Sequence, residues 1–196
     1  MLEQSFLTER LFIRDYRRSD LEEFLRVVRQ EEIYATTYGI PRNYTRRRGK
    51  WWLKIIRQNK LFGTSLEYAV FLRDSGVYIG NVGLINIARE HLRGDISYYI
   101  DRDCMNRGYA TEAAQAMLQY GFEELGFHKI SGVCMSRNPA SRRVMEKLGM
   151  RYEGTLRDDL LKDGVYCDID RLSILREEYF TNSKADQQSF QHRNVE

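Results

Sequence analysis

Proline and cysteine are both scarce in this chain of 196 residues. With only two prolines, Pro41 and Pro139, the chain has no long proline-rich linker. The three cysteines are widely spaced and form no Cys-x-x-Cys pair, which argues against a disulfide framework or a zinc knuckle. No run of about 18 apolar residues occurs, and the first residues lead into no apolar signal segment. We therefore predict a cytoplasmic chain that makes no membrane contact.

Histidine is also rare, and the motifs of several catalytic classes are missing. The sequence contains no Gly-x-x-x-x-Gly-Lys phosphate loop, no His-Glu-x-x-His pair and no Gly-x-Ser-x-Gly turn. His91 falls in a polar turn, His128 follows the end of a predicted helix, and His192 lies near the C-terminus. We expect none of the three to be catalytic, and we predict no metal site.

The composition is that of one folded domain, with 42% hydrophobic and 30% charged residues. The net charge of +3 conceals an asymmetry, because residues 1–60 carry +6 and residues 61–196 carry −3. The excess is concentrated between Arg42 and Lys50. A solvated loop leading into a helix explains such a cluster most simply, and a surface that recruits an acidic partner such as nucleic acid is the alternative.

Hydrophobic periodicity predicts an α/β fold with a mixed sheet of about six or seven strands and about four helices. The predicted strands cover 11–14, 66–72, 78–86, 96–100, 129–135, 152–161 and 165–175. The predicted helices cover about 20–29, 46–58, 110–125 and 139–148. In the second helix, Trp51 and Trp52 are both predicted to face inward. Residues 1–180 form one domain, and the polar segment 181–196 is predicted to be a mobile tail.

The segment 105–113 joins a predicted strand to the most regular predicted helix. The N-terminus of a helix exposes unpaired N–H groups and a partial positive charge, so it can hold a phosphate or diphosphate. Gly108 and Ala110 are small where the backbone would approach that anion, and Arg107 could add a charged hydrogen bond. Taken alone, the segment fits a tight turn without a ligand equally well.

Two segments together give a more specific signal. The run from Arg107 to Ala113 and the run Asn138-Pro139-Ala140-Ser141, followed by a helix ending at Gly149, resemble the acetyl-CoA-binding region of the GCN5-related N-acetyltransferases. The resemblance covers about residues 8–178 and is greatest to the branch that acetylates the N-termini of ribosomal proteins. It implies an acyltransferase that uses acetyl-CoA as co-substrate.

The resemblance also implies a site. Two central parallel strands would splay apart, and the pantetheine arm of the cofactor would lie between them. The implied cofactor-binding residues are Tyr99, Ile100, Asp101, Asn106, Arg107, Gly108, Tyr109, Ala110, Thr111, Asn138 and Ser141. Ser141 matches the serine proposed to protonate the departing thiolate. Met105 departs from the family pattern, which has Gln or Arg at that position.

The acceptor is harder to predict than the cofactor. In this family an amine attacks the thioester directly, and Asp95 lies near the position where relatives carry a glutamate base; Glu90 and Glu67 are weaker candidates. At pH 7 an α-amino group of pKa about 8 is already roughly a tenth neutral, whereas neutralising a lysine amine costs about 4.6 kcal/mol. A chain without an evident strong base therefore favours an α-amino acceptor, and we predict a protein N-terminus, with the Arg42–Lys50 stretch near its entrance.

Two other classes of function remain open. The first is acetylation of a small amine such as a polyamine, an amino acid or an aminoglycoside. A polyamine pocket needs several carboxylates, and the last two strands carry Asp158, Asp159, Asp163, Asp168 and Asp170. The second is a non-catalytic regulator that binds acyl-CoA or RNA. The sequence leaves the oligomeric state open, a homodimer included.

Overall fold

The computed structural model describes residues 3–182. An eight-stranded mixed sheet runs through the described part of the chain, in the spatial order β1-β2-β3-β4-β5-β6-β8-β7. The strands are β1 (Ser5–Leu7), β2 (Leu11–Asp15), β3 (Leu66–Leu72), β4 (Tyr78–Ala88), β5 (Arg93–Ile100), β6 (Lys129–Met135), β7 (Arg151–Lys162) and β8 (Val165–Leu175). Neighbouring strands pair antiparallel except β5 and β6, which are parallel and lie at the centre.

Helices cover both faces of the sheet. They are α1 (Leu21–Val28), α2 (Glu31–Thr36), α3 (Arg46–Phe62), α4 (Tyr109–Gln119), α5 (Pro139–Lys147) and α6 (176–182). A π-helical turn, Tyr120–Glu124, extends α4. One hydrophobic core joins α4 and α5 to one face, and a second joins α1 and the residues around Tyr44 to the other.

The helices that flank the centre of the sheet begin at clear local signals. Asn138 accepts a hydrogen bond from the Ser141 N–H (3.2 Å), and Pro139 follows at the first helical position of α5. Gly108 immediately precedes helix α4, and its φ of 83° favours glycine. Its buried stripe contains Ala113, Ala114 and Met117. These starts place the N-termini of α4 and α5 beside the parallel strands.

The predicted fold class is confirmed, with more elements than expected. Both β1 and α2 are short, and the periodicity of so few residues does not distinguish them from loops. The inward orientation of Trp51 was wrong, because its side chain is 57% exposed while Trp52 packs inward. Of the predicted tail, residues 181 and 182 continue α6, and 183–196 lie outside the described residues. No helix within residues 3–182 is long and apolar enough to cross a membrane.

Candidate active site

A fork between the two parallel strands forms the centre of the site. β5 and β6 pair only at Arg93–Lys129, Gly94–Ile130 and Asp95–Ser131. Beyond these pairs the strands diverge, while β5 stays bonded to β4 and β6 stays bonded to β8. A cavity of about 550 Å³ occupies the gap. All the predicted site residues line this cavity except Asp101, Arg107 and the weaker base candidate Glu90.

The backbone of β5 decides which groups face the gap. The Asp101 N–H donates to the Ile79 carbonyl of β4 (2.6 Å). In an antiparallel pair the bonded residues alternate, so Tyr99 also points its backbone groups to β4 and Ile100 points its groups into the gap. Tyr98 shares the orientation of Ile100. The amide of Asp101 is therefore used within the sheet, and the free groups of this strand belong to Tyr98 and Ile100.

Asp101 has another role in the fold. Its buried carboxylate accepts hydrogen bonds from Arg26 Nη1 (2.5 Å) and Gln30 Nε2 (2.9 Å), and from the Asp103 N–H (3.1 Å). Burial raises the pKa of Asp101, but the hydrogen bonds from Gln30 and Arg26 outweigh it and hold the pKa below its usual value. Asp101 thus ties the end of β5 to helix α1.

The N-terminus of α4 opens into the cavity. The first intrahelical hydrogen bond runs from the Glu112 N–H to the Gly108 carbonyl (3.0 Å), which leaves the N–H groups of Tyr109, Ala110 and Thr111 without an intrahelical acceptor. Asn106 and Gly108 both have positive φ, 60° and 83°, so the chain turns tightly before the helix. This arrangement suits an anionic diphosphate, which would accept from the amides and meet the positive end of the helix.

A partly exposed ion pair holds this turn against the N-terminal strands. The Glu112 carboxylate accepts from Thr8 Oγ1 (2.6 Å) and from Arg10 Nε (2.7 Å), and Arg10 Nη1 donates to the Arg107 carbonyl (3.0 Å). Burial raises the pKa of Glu112, and the bonds from Thr8 and Arg10 lower it to below its usual value. Arg107 itself is exposed beside the cavity. Arg143 and Lys147 of α5 also line the cavity, as cations that the sequence analysis missed.

Ser141 lies against Tyr98 of β5. The hydroxyls of Ser141 and Tyr98 are 3.0 Å apart, and the Tyr98 hydroxyl also donates to the Ser141 carbonyl (3.0 Å). Burial raises the pKa of Tyr98 well above its usual value, although the hydrogen bond to Ser141 lowers it, so Tyr98 remains protonated near neutral pH. The side chain of Asn138 caps α5 and donates to the Thr36 carbonyl (3.4 Å).

Two carboxylates line the cavity among the described residues, Asp95 and Glu67. Asp95 lies where the fork closes, accepts from Asn86 Nδ2 (2.9 Å) and is 3.9 Å from Arg171 Nη2. Glu67 lies on β3, on the far side of the cavity from α4, and accepts from Asn81 Nδ2 (2.6 Å). The rings around Glu67 form an aromatic wall, with Phe24 stacked on Trp52 at 4.6 Å. The sequence analysis had ranked Glu67 behind Asp95.

The acidic cluster of the last two strands does not line the cavity. Asp170 is buried and accepts from Ser136 (2.7 Å), Thr155 (2.6 Å) and Arg142 (3.0 Å). Asp163 accepts from Tyr34, and the Asp168 carboxylate accepts from the Asp158 N–H (2.8 Å). These carboxylates therefore stabilise the fold through hydrogen bonds within the protein. In residues 3–182, no group of three or more His, Cys, Asp or Glu side chains is arranged to hold a metal ion.

The basic stretch is partly neutralised by neighbouring side chains. Arg42 pairs with Glu31 (3.0 Å) and Asp163 (3.8 Å), and Arg46 pairs with Glu22. Arg47, Arg48 and Lys50 are exposed on the first turns of α3. Tyr44, within the same stretch, lines the cavity.

Known proteins share the sequence pattern and the fold of this chain. A family model described as an acetyltransferase (GNAT) domain matches residues 10–151. YnaD, an uncharacterised N-acetyltransferase of Bacillus subtilis strain 168, is 38% identical over 113 residues, which are 58% of this chain and 66% of YnaD. The crystal structure of a GNAT-family acetyltransferase from Bacillus anthracis has a TM-score of 0.77 at 28% identity, and the match covers 89% of this chain and 99% of that chain.

Two further relatives have names that specify an acceptor. YdaF of Bacillus subtilis, provisionally named a ribosomal N-acetyltransferase, is 30% identical over 104 residues, which are 53% of this chain and 57% of YdaF. Spermidine N(1)-acetyltransferase of Escherichia coli strain K12 is 28% identical over 109 residues, which are 56% of this chain and 59% of that enzyme. The matches therefore span between 57% and 66% of these curated relatives.

Proposed function

Because this chain belongs to the GNAT acetyltransferase family, we propose that it transfers an acetyl group from acetyl-CoA to a primary amine. One observation carries the proposal: the fork beyond Asp95 and Ser131 and the free amides of α4 open into the same cavity. The pantetheine arm of acetyl-CoA, a slender chain with amide groups, fits the fork, where it can hydrogen-bond to the backbone of Ile100. The diphosphate of acetyl-CoA fits the free N–H groups that follow Gly108.

Different residues would serve the departing sulfur and the attacking amine. Acetyl-CoA, when bound, supplies a thioester carbonyl that an amine can attack directly. Ser141 would donate a proton to the departing sulfur, and Tyr98 would hold the Ser141 hydroxyl in place. The free N–H groups of β5 would steady the charge that develops on the carbonyl oxygen. Asp95 and Glu67 are the carboxylates that could take the proton from the amine.

For the acceptor, we propose the α-amino group of a protein N-terminus. Two cavity carboxylates fit a substrate with one ammonium group better than a polyamine, which carries several. The five aspartates that could have formed a polyamine site lie outside the cavity. The exposed cations Arg47, Arg48 and Lys50 would attract an acidic peptide or a ribosomal surface. The similarity to YdaF supports a protein N-terminus as the acceptor. The similarity to the spermidine acetyltransferase supports the rival acceptor, a polyamine.

The test compares acetyl transfer to two acceptors in separate reactions, each followed as thiol release from acetyl-CoA. The wild-type protein receives either spermidine or, at the same concentration, a short acidic peptide with a free N-terminal amine. We expect the peptide to be acetylated at least tenfold faster, with a rate that falls as salt rises because exposed charges are screened. Preference for spermidine would overturn the protein acceptor. An absence of thiol release with every amine, despite measurable CoA binding, would overturn the transferase.

A further inference from the structure

Glu67 is a carboxylate that the fold surrounds but does not neutralise. It is the second residue of β3, opposite Gly83 on β4, and Gly83 lies opposite Ser97 on β5. Residues directly opposite one another in a sheet share a face. Because Gly83 has no side chain, the Glu67 carboxylate faces β5 across an open position. Two strand spacings, about 10 Å, separate β3 from the edge of the fork, which leaves room for a small polar group.

A chain of hydrogen bonds fixes the environment of this carboxylate. The Tyr16 hydroxyl donates to Asn81 Oδ1 (2.9 Å), so the amide group of Asn81 must turn its Nδ2 toward Glu67 (2.6 Å). The Tyr16 hydroxyl also lies 2.9 Å from that of Tyr78, which lies 3.4 Å from that of Tyr99. Asn81 is buried, with 2% of its surface exposed. This network of hydrogen bonds therefore holds Glu67 as an acceptor. One of its carboxylate oxygens is hydrogen-bonded, and the other receives no hydrogen bond from the described residues.

No positive charge among the described residues compensates Glu67. Among the described residues, no Lys, Arg or His lies within ion-pairing distance of its oxygens. The titratable groups that face it are four tyrosines from four parts of the chain: Tyr16, Tyr44, Tyr78 and Tyr99. Burial raises the pKa of all four, that of Tyr44 to about 12, so they are neutral near pH 7. Helices α1 and α3 present Phe24 and Trp52, which do not titrate.

An uncompensated carboxylate in an aromatic pocket is costly for the protein alone and favourable for a cationic ligand. Glu67 is partly buried and has a neutral hydrogen-bond donor, Asn81, in place of a counter-ion. Such a charge is poorly solvated, and a ligand cation removes that cost. The rings of Tyr44 and Trp52 add an attraction for an ammonium group that approaches over their faces. Burial also raises the pKa of Glu67, although the hydrogen bond from Asn81 lowers it, and a raised pKa makes the carboxylate a better proton acceptor.

We propose that Glu67 binds the ammonium group of the acceptor and takes its proton before acetyl transfer, a role that rests on the function proposed above. One N–H proton passes to a Glu67 oxygen, which leaves the nitrogen lone pair free. The N–C bond then forms as the C–S bond breaks. The second proton of the nitrogen leaves by way of Ser141 to the sulfur, so that the products are the amide and the free thiol. Glu67 returns its proton to solvent when the amide departs.

The first test compares Glu67→Gln with wild type, using the acidic peptide as acceptor. At pH 7 we expect kcat/KM to fall by at least a hundredfold. The loss should shrink by about tenfold at pH 9, because an α-amino group of pKa near 8 is then mostly neutral without help. Glu90→Gln, at an exposed carboxylate outside the cavity, is the matched control and should behave as wild type. A Glu67→Gln loss below threefold, or an Asp95→Asn loss that exceeds it, would overturn the assignment.

A second measurement does not depend on the variant. Wild-type protein saturated with CoA is titrated with the peptide and with an analogue in which a hydroxyl replaces the N-terminal amine. We expect the ammonium form to bind at least tenfold more tightly at pH 7, and the preference to shrink as acid neutralises the cavity carboxylates. Equal binding of the two peptides would overturn the assignment. If wild type binds CoA but acetylates no amine, the proposed function fails instead, and the assignment fails with it.

Discussion

The cofactor end of the cavity offers mainly backbone groups, whereas the acceptor end offers side chains. At the cofactor end, the N–H groups of Tyr109 to Thr111 and the free edge of Ile100 face the gap. At the acceptor end, Glu67, Asn81 and the surrounding rings supply the polar and aromatic groups. Backbone groups persist through most substitutions, but they depend on the conformation of the chain. Side-chain groups disappear with one substitution, so the acceptor end is the one where a single change can alter specificity.

The largest expected effect comes from changing the backbone conformation of the cofactor end. In Gly108→Glu, a residue with a side chain must adopt a φ of 83°, which costs about 1–2 kcal/mol, and it adds a negative charge beside the diphosphate. A Cβ at this position would also lie 3.3 Å from Arg10 Nη2. We expect the affinity for CoA to fall by at least about a hundredfold, or about 2.7 kcal/mol, measured by calorimetry.

Helix α4 supplies the matched control at its other end. Gly126 also has positive φ (68°), and a Cβ there meets no atom within 4 Å. Gly126→Glu should therefore lower stability by a similar 1–2 kcal/mol and leave CoA affinity unchanged. Equal CoA affinity in the two variants would show that the amides after Gly108 do not hold the diphosphate.

An intermediate loss of activity is expected on replacing Ser141, whose side chain lies next to the backbone groups of the cofactor end. Ser141→Ala removes the hydroxyl next to Tyr98, but it keeps the N–H that Asn138 caps, so α5 should stay folded. General acid catalysis is typically worth about 10²–10⁴-fold, and Tyr98 and water can replace part of it. We expect kcat at pH 7 to fall by about tenfold to a hundredfold, with CoA affinity unchanged. A kcat within twofold of wild type would remove Ser141 from the proton path.

The same contrast explains which parts of the molecule the sequence could predict. The cofactor end is built from two continuous segments with local signals: the turn at Gly108 before an apolar helical stripe, and Asn138 before Pro139. Strands β3 and β6 were predicted at their observed bounds because both are short apolar runs between turn residues. For such segments, spacing along the chain determines the local geometry.

The acceptor end could not be predicted in this way. Glu67 and Asn81 meet because β3 and β4 pair in one register, and Tyr16 joins them from a loop distant in the sequence. A shift of one residue would turn Glu67 to the other face. The turn between β3 and β4 fixes this register, but it does not show that Tyr16 reaches the same pair. Trp51 and Trp52 illustrate the same limit. Neighbouring helical residues differ by about 100° around the axis, so an apolar stripe can bury both of them or only one, and periodicity alone does not decide between the two.

Asp101 is the residue that connects the two ends, and its replacement should give the smallest of these effects on catalysis and cofactor binding, because the loss falls on stability. It accepts hydrogen bonds from Arg26 and Gln30 on the acceptor side and follows Ile100 on the cofactor side. Hydrogen bonds to a charged group contribute about 1.5–3 kcal/mol each, and an amide at this position keeps part of that. We expect Asp101→Asn to lose about 1–3 kcal/mol of stability, a fall in Tm of about 3–10 °C for a domain of this size. Asp103→Asn, at the exposed neighbouring carboxylate, should leave Tm unchanged.

The pH dependence of this loss identifies its cause. The pKa of Asp101 is lowered in the folded protein, while the unfolded chain has the ordinary value near 3.9. The carboxylate thus stabilises the fold fully above about pH 4, and the contribution disappears as pH falls through the folded pKa. The Tm difference between wild type and Asp101→Asn should be constant from pH 5 to pH 8 and should shrink below pH 4. If the difference is as large at pH 3 as at pH 7, the shape of the side chain matters rather than its charge, and the link between the two ends is not electrostatic.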